Sequence, residues 1–155
     1  MLNYMSLDPK IWGPPMWTTL VIVALGYPKT PTIDDAYHYK RWYYHLQFTI
    51  PCEVCRKNFA IHVRQIPIDN FLKSRKSLLF WVTQIHNLVG DQQGKAPLSV
   101  HDMVSRYVKT PQQTPDQLIE GFGVVGELGG ANLSPWLMGG VIVLIAYWAF
   151  SRMKH

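Results

Sequence analysis

Cys52-Glu53-Val54-Cys55 is the segment of this chain best suited to chemistry, and it contains the only two cysteines among the 155 residues. Two thiols at C-x-x-C spacing can close an intramolecular disulfide and exchange it with a substrate dithiol. So small a ring constrains the unfolded chain little, so reactivity accounts for the pair better than stapling does. Attack requires a thiolate. Pro51 can stop one helix and start the next, placing Cys52 at a helix beginning where the partial positive charge of the terminus stabilises that thiolate. Spacing alone fits a sulfhydryl oxidase, a thioredoxin-like exchanger or half of a zinc site. The exchanger needs strands around the motif, and the residues before Cys52 carry a helical stripe instead. Zinc needs two further ligands; His38, His45 and His62 are available, without H-x₃₋₅-H spacing and without a second C-x-x-C.

The elements around the pair read as helices. Pro14 and Pro15 suit a first helical turn, and Met16 to Leu25 then run almost wholly apolar until Gly26-Tyr27-Pro28. Asp34 or Asp35 can cap a second helix, in which Ala36, Tyr39, Tyr43, Leu46 and Ile50 recur at steps of three and four. From Cys52 a third helix carries Cys55, Phe59, Val63 and Ile66 on one side and ends at Pro67. Leu78, Val82, Ile85 and Val89 mark a fourth that ends near Gly90. Ser99 with Asp102 resembles a capping box for a short last helix carrying Val100, Met103, Val104, Tyr107 and Val108. Nothing between these elements alternates long enough for a sheet, so the expected class is all-α, a small helical bundle.

Composition sets the limits around that bundle. A chain of this length buries one core. Residues 110–132 are rich in Gly, Gln, Pro and Thr and read as a flexible linker. Pro135 to Ser151 contains no charge, has Trp136, Tyr147 and Trp148 near its ends and is followed by Arg152 and Lys154. That pattern predicts a transmembrane helix over 133–151 and a basic tail over 152–155. Met1 to Lys10 has neither a basic start nor a long apolar run, so no secretory signal is expected there. The oxidation-prone pair is therefore expected on the cytosolic side, where protein disulfides are catalytic or transient more often than structural. The formal charge of +5 is spread along the chain. Its one tight basic cluster, Lys73-Ser74-Arg75-Lys76, reads as a solvated face, and no nucleic-acid partner is expected.

Trp12-Gly13-x-x-x-Trp17-x-x-Leu20, Tyr27-Pro28, Cys52-x-x-Cys55, His86-Asn87-x-Val89 and Gly94-Lys95 follow one another in this order. Together, over about residues 10–109, they resemble the Erv/ALR family of FAD-linked sulfhydryl oxidases. The resemblance implies a four-helix bundle plus a short fifth helix, formed by residues 1–109, that binds FAD in its mouth beside the redox cysteines at the start of the third helix. It implies that Cys52 exchanges with substrate, while Cys55 passes electrons to FAD and from there to dioxygen, giving hydrogen peroxide. Gly13, Pro14, Pro15, Trp17 and Val21 fall on the family's first flavin-contact segment, and Phe48 falls just before the cysteines. His86, Asn87, Val89, Gly90 and Lys95 fall on the second, with Arg106 and Tyr107 on the last helix.

The family usually forms homodimers through helices of the bundle, and the apolar face of Met16 to Leu25 is compatible with such an interface. Pro14 stands where an Arg is common, Val21 where many members have a histidine, and Gly90 where an Asn is frequent. With no third cysteine there is neither a second structural disulfide nor a shuttle dithiol, so a thiol-containing client or carrier protein is expected to reach Cys52 directly. Such minimal forms resemble the oxidases encoded by large DNA viruses, and the expected location is a virion or host-cell membrane. The rival reading is a membrane-tethered dithiol-disulfide exchange protein without productive flavin binding. A structural protein with incidental thiols is a third.

Overall fold

Asp8 and Pro9, rather than Pro14, begin the first helix. The computed structural model describes residues 7–110 and 112–120. Helix α1 (Pro9–Gly26) has Asp8 as its N-cap, whose carboxylate accepts from the Lys10 amide at 2.9 Å, and Pro9 occupies the first turn. Pro14 and Pro15 therefore lie inside α1 and have no N–H to offer the carbonyls one turn back. The expected start is corrected by five residues because the cap chemistry sits at Asp8.

Helix α2 (Ile33–Thr49) is capped by Thr32, not by Asp34 or Asp35. Asp35 is the reciprocal partner: its amide donates to the Thr32 hydroxyl at 3.1 Å while its carboxylate accepts from the Thr32 amide at 2.8 Å. Tyr43, Leu46 and Ile50 from the expected stripe are buried, and Ala36 and Tyr39 half so. Helix α3 (Glu53–Gln65) has Cys52 as its N-cap. A 3₁₀ turn (Ile68–Phe71) follows Pro67 and leads to α4 (Arg75–Asp91).

The basic cluster is only partly solvated. Arg75 opens α4 and its Nε donates to the Tyr27 carbonyl at 2.7 Å, tying α4 to the end of α1. Helix α4 is the central element: Leu78, Leu79, Trp81, Val82 and Ile85 are buried along it. The Trp81 indole N–H donates to the Ile66 carbonyl at 2.7 Å and its ring meets Tyr43 edge-on at 5.2 Å, so one side chain joins α2, α3 and α4. The buried Tyr43 hydroxyl donates to the Leu20 carbonyl at 2.8 Å and brings in α1.

Ser99 caps α5 (Val100–Tyr107) with Asp102 as the box partner, and Met103 and Val104 complete the core. Part of the expected linker is helical. In α6 (Pro115–Glu120) Leu118 and Ile119 pack against the core, and Lys76 pairs with Glu120. Two adjacent apolar residues on one turn, each half-buried, dock it against α4 and α5, a signal too short to show as periodicity.

Every regular element among the described residues is helical, and none of these helices is long and apolar enough to cross a membrane. Residues 111 and 121–132 of the expected linker, the expected span over 133–151 and the tail over 152–155 lie outside the described residues.

Candidate active site

Four successive helices that reverse direction bring the start of α1, the end of α2, the start of α3 and the end of α4 to one end of the bundle. A cavity of ≈ 670 Å³ opens there, closed on one side by Tyr107 at the end of α5. That volume lies in the range of sites that hold a cofactor-sized molecule. Its walls are chiefly aromatic and aliphatic, with Trp12, Trp17, Leu20, Leu46, Ile50 and Phe59 among them, and the cations on its rim are Lys10 and Lys95.

Cys52 and Cys55 are joined as a disulfide at this end, with Cα atoms 5.2 Å apart. Only Cys55 lines the cavity; Cys52, 7 % exposed, sits behind it at the α3 N-cap. The Cys55 amide is directed at the Cys52 sulfur, 3.2 Å away. A helix begun in this way holds a negatively charged sulfur at Cys52 against unpaired backbone N–H groups. The N-terminal segment closes over the same turn: the Leu7 amide donates to the Pro51 carbonyl at 3.0 Å, and the Trp12 indole donates to the Leu7 carbonyl at 3.1 Å.

His86 faces the cavity from α4. Its ring meets Trp17 edge-on at 4.7 Å, and its Nε2 lies 3.0 Å from the Tyr107 hydroxyl. Its Nδ1 is buried and has no hydrogen-bond partner among the described residues. A buried orphan of this kind is costly unless something else completes it. Burial holds the His86 imidazolium below the ordinary histidine range, the neighbouring Asn87 amide opposes this, and the nearby charges of Arg106 and Lys95 reinforce it. A base with its folded pKa depressed binds fewer protons folded than unfolded. Its contribution to stability is complete above about pH 6.5 and is lost as the pH falls through the lower folded value. The melting temperature is expected to drop on acidification below about pH 6.5, and His86→Gln is expected to flatten that slope. Melting curves between pH 5 and 8 check this.

The structure brings Gly13, Pro14, Trp17, Cys55, His86, Val89, Gly90, Lys95 and Tyr107 to the cavity wall. It places five expected contacts elsewhere. Val21 is fully buried in the core, because Leu20, one position and a 100° rotation earlier, takes the cavity side. Phe48 is 63 % exposed on the outer face of α2, which sends Leu46 and Ile50 inward. Pro15 and Arg106 are exposed and outside the lining.

Asn87 acts at one remove. Its amide group donates to the Leu98 carbonyl and accepts from the Leu98 amide, both at 2.9 Å, fixing the loop that carries Lys95. That loop turns at Gly94, whose φ of +68° is left-handed, and the Lys95 amide returns to the Gly90 carbonyl at 3.0 Å. Lys10, Asn58, Phe59 and Gln92 line the cavity without having been singled out as cofactor contacts. Helical spacing from known members would have found them: Lys10 is one turn before Pro14, and Asn58 and Phe59 are one turn after Cys55.

The model of the Erv1 / Alr family matches residues 14–110. The chain belongs to that family. Over 105 residues it is 36% identical to the probable FAD-linked sulfhydryl oxidase R368 of Acanthamoeba polyphaga mimivirus, covering 67% of this chain and 73% of that protein. The FAD-linked sulfhydryl oxidase of African swine fever virus is 26% identical over 88 residues, 57% of this chain and 72% of that one. The crystal structure of the FAD binding domain of Erv1 from Saccharomyces cerevisiae superposes with a TM-score of 0.60 at 27% identity, over 65% of this chain and 94% of the other. The enzyme class and the cofactor expected from the sequence are those these relatives carry in their names. The helical architecture of the Erv1/Alr domain is that of the solved relative.

Proposed function

We propose that this Erv1/Alr protein is an FAD-linked thiol oxidase that makes disulfides in client or carrier proteins through Cys52 and Cys55, with dioxygen as the final acceptor and hydrogen peroxide as product. The observation that carries the reading is Cys55: one sulfur of the only disulfide forms part of the wall of the aromatic cavity. The lining fits FAD. Trp12, Trp17 and Tyr107 offer ring surfaces, Lys10 and Lys95 offer cations for a pyrophosphate, and His86 Nδ1 is a buried polar atom awaiting a partner.

The residues carry out the thiol half. A client thiolate attacks the Cys52 sulfur, the Cys52–Cys55 bond breaks, and Cys55 leaves as a thiolate facing the cavity. The second client thiolate then attacks the client sulfur of the mixed disulfide and releases Cys52. Two electrons now reside on the protein dithiol, and the client has its disulfide. FAD bound in the cavity would supply the two-electron acceptor and the route to dioxygen. Purified full-length protein with FAD should show a flavin spectrum and consume oxygen on a dithiol substrate. A colourless protein with no oxygen uptake would leave the exchange protein as the better reading.

Lys10→Ala is expected to weaken FAD binding by about tenfold, the loss of one charge-assisted contact, while riboflavin affinity stays unchanged. Fluorescence titration with both ligands checks it.

The domain is proposed to act as a homodimer, tethered by the 133–151 segment with its oxidase domain on the cytosolic side of a virion or host-cell membrane. In α1, Leu20, Val21 and Ala24 are committed to the core and Met16 and Trp17 to the cavity, which leaves Ile22, 51 % exposed, as the apolar residue of the Met16–Leu25 segment open to a partner. Further support comes from α2, where Ile33, Tyr37, Tyr44 and Phe48 form an exposed stripe at helical spacing. A monomeric mass in light scattering would remove the dimer, and protection of the domain from protease in intact host-cell membranes would reverse the orientation.

A further inference from the structure

Arg56 lies outside the cavity lining and outside every motif discussed above, yet it is bound to the backbone on both sides of Cys52. Its amide donates to the Cys52 carbonyl at 2.9 Å, the first helical bond of α3. Its guanidinium Nη1 reaches back past the cysteine to the Ile50 carbonyl at 2.7 Å. The same carbonyl accepts from the Cys52 amide at 2.8 Å, closing a three-residue turn over Pro51. The separation of Nη1 from the Cys52 amide nitrogen thus cannot exceed those two hydrogen-bond lengths laid end to end. The side chain is half-buried, so its charge is less screened than that of Lys57, which pairs with Glu53 in solvent at 2.8 Å. Arg56 also acts on the neighbour of Cys52: it contributes, after Lys57, to lowering the Glu53 carboxyl below its ordinary value.

We infer that Arg56 is a positioning residue for the dithiol, fixing the Ile50-Pro51-Cys52 turn and stabilising the thiolate that Cys52 becomes when it leaves the client. The inference rests on the thiol chemistry of the proposed function, and it specifies what makes Cys52 a good leaving group. When the second client thiolate attacks, the bond between the client sulfur and Cys52 breaks and its electron pair stays on Cys52 as S⁻. A lower thiol pKa speeds that departure, and the client is released with its disulfide closed. The backbone amide of Cys55 already faces this sulfur, and a guanidinium held on the Ile50 carbonyl adds positive charge near the same turn.

The test uses the full chain in a Cys55→Ser background, where Cys52 is the sole thiol, and follows thiolate absorbance against pH. Arg56→Gln is expected to raise the midpoint by about one pH unit, and Arg56→Lys, which keeps the charge, to leave it within about 0.3 unit. In the chain with both cysteines, Arg56→Gln should shift the equilibrium with glutathione about tenfold toward the disulfide. A midpoint in Arg56→Gln equal to that of the parent would overturn the inference, even if the melting temperature fell, because that outcome marks a purely structural residue. Should the glutamine variant fail to fold, the parent decides: a Cys52 midpoint no lower than that of an ordinary thiol, with Arg56 in place, overturns the assignment. Neither readout needs flavin, so failure here is distinct from absence of oxygen uptake by the unsubstituted protein.

Discussion

Cys55→Ser is expected to lower dithiol-driven oxygen consumption by at least about a thousandfold while leaving FAD bound. The reaction needs a second sulfur to accept the electrons that Cys52 receives, and among the described residues the cavity wall offers no other. Serine replaces one wall atom with a smaller one, so the aromatic and cationic lining stays in place and the visible spectrum should persist. Cys52→Ser should lose client oxidation as completely, for the opposite reason: Cys55 still faces the cavity, but no disulfide can form to be attacked. A substantial residual rate in either variant would mean that electrons bypass the pair, and the proposed route would fail.

Trp81→Ala is expected to have the largest effect on stability. The side chain is buried, and truncating a buried tryptophan costs about 3–5 kcal/mol. The change also removes the donor at the Ile66 carbonyl, which ends α3, and the ring that meets Tyr43. Against a total stability of about 5–15 kcal/mol for a domain, the melting temperature should fall by at least about 15 °C. Trp81→Phe keeps a ring against Tyr43 and loses only the indole N–H, so its expected cost is about 1–3 kcal/mol. Because α3 carries the dithiol and α4 carries His86, loosening their joint should weaken FAD retention as well. Added FAD, binding only the folded state, should recover part of the lost melting temperature. Differential scanning fluorimetry with and without FAD reads both effects.

The helices of this domain were legible where apolar residues recur every three or four positions, as in Tyr43, Leu46 and Ile50 or in Leu78, Val82 and Ile85. Their beginnings were less so. Asp8, Thr32 and Ser99 are all chemically able caps, yet only Ser99 was picked out, because at the other two sites prolines and neighbouring aspartates gave competing signals. The lone helical turn of α6 left no periodic trace at all.

By itself the sequence determined the all-helical class, the reactive pair and its place at a helix start, and the family, since these depend on residue type and short-range spacing. The C-x-x-C motif needs only three residues of chain to specify its ring, and Pro51 to specify the helix that follows. Only the tertiary structure decided which of the motif residues face the cavity. Val21 and Leu20 are adjacent and equally apolar, and a rotation of 100° sends one into the core and the other to the cavity wall. Phe48 and Ile50 are divided in the same way. Asn87 supports a loop instead of lining the site, and Arg56 binds a carbonyl six residues back, because those partners are fixed by how α3 and α4 pack. Orientation about a helix axis is set by the neighbours that bury it, and the identities of those neighbours are not written in any one segment.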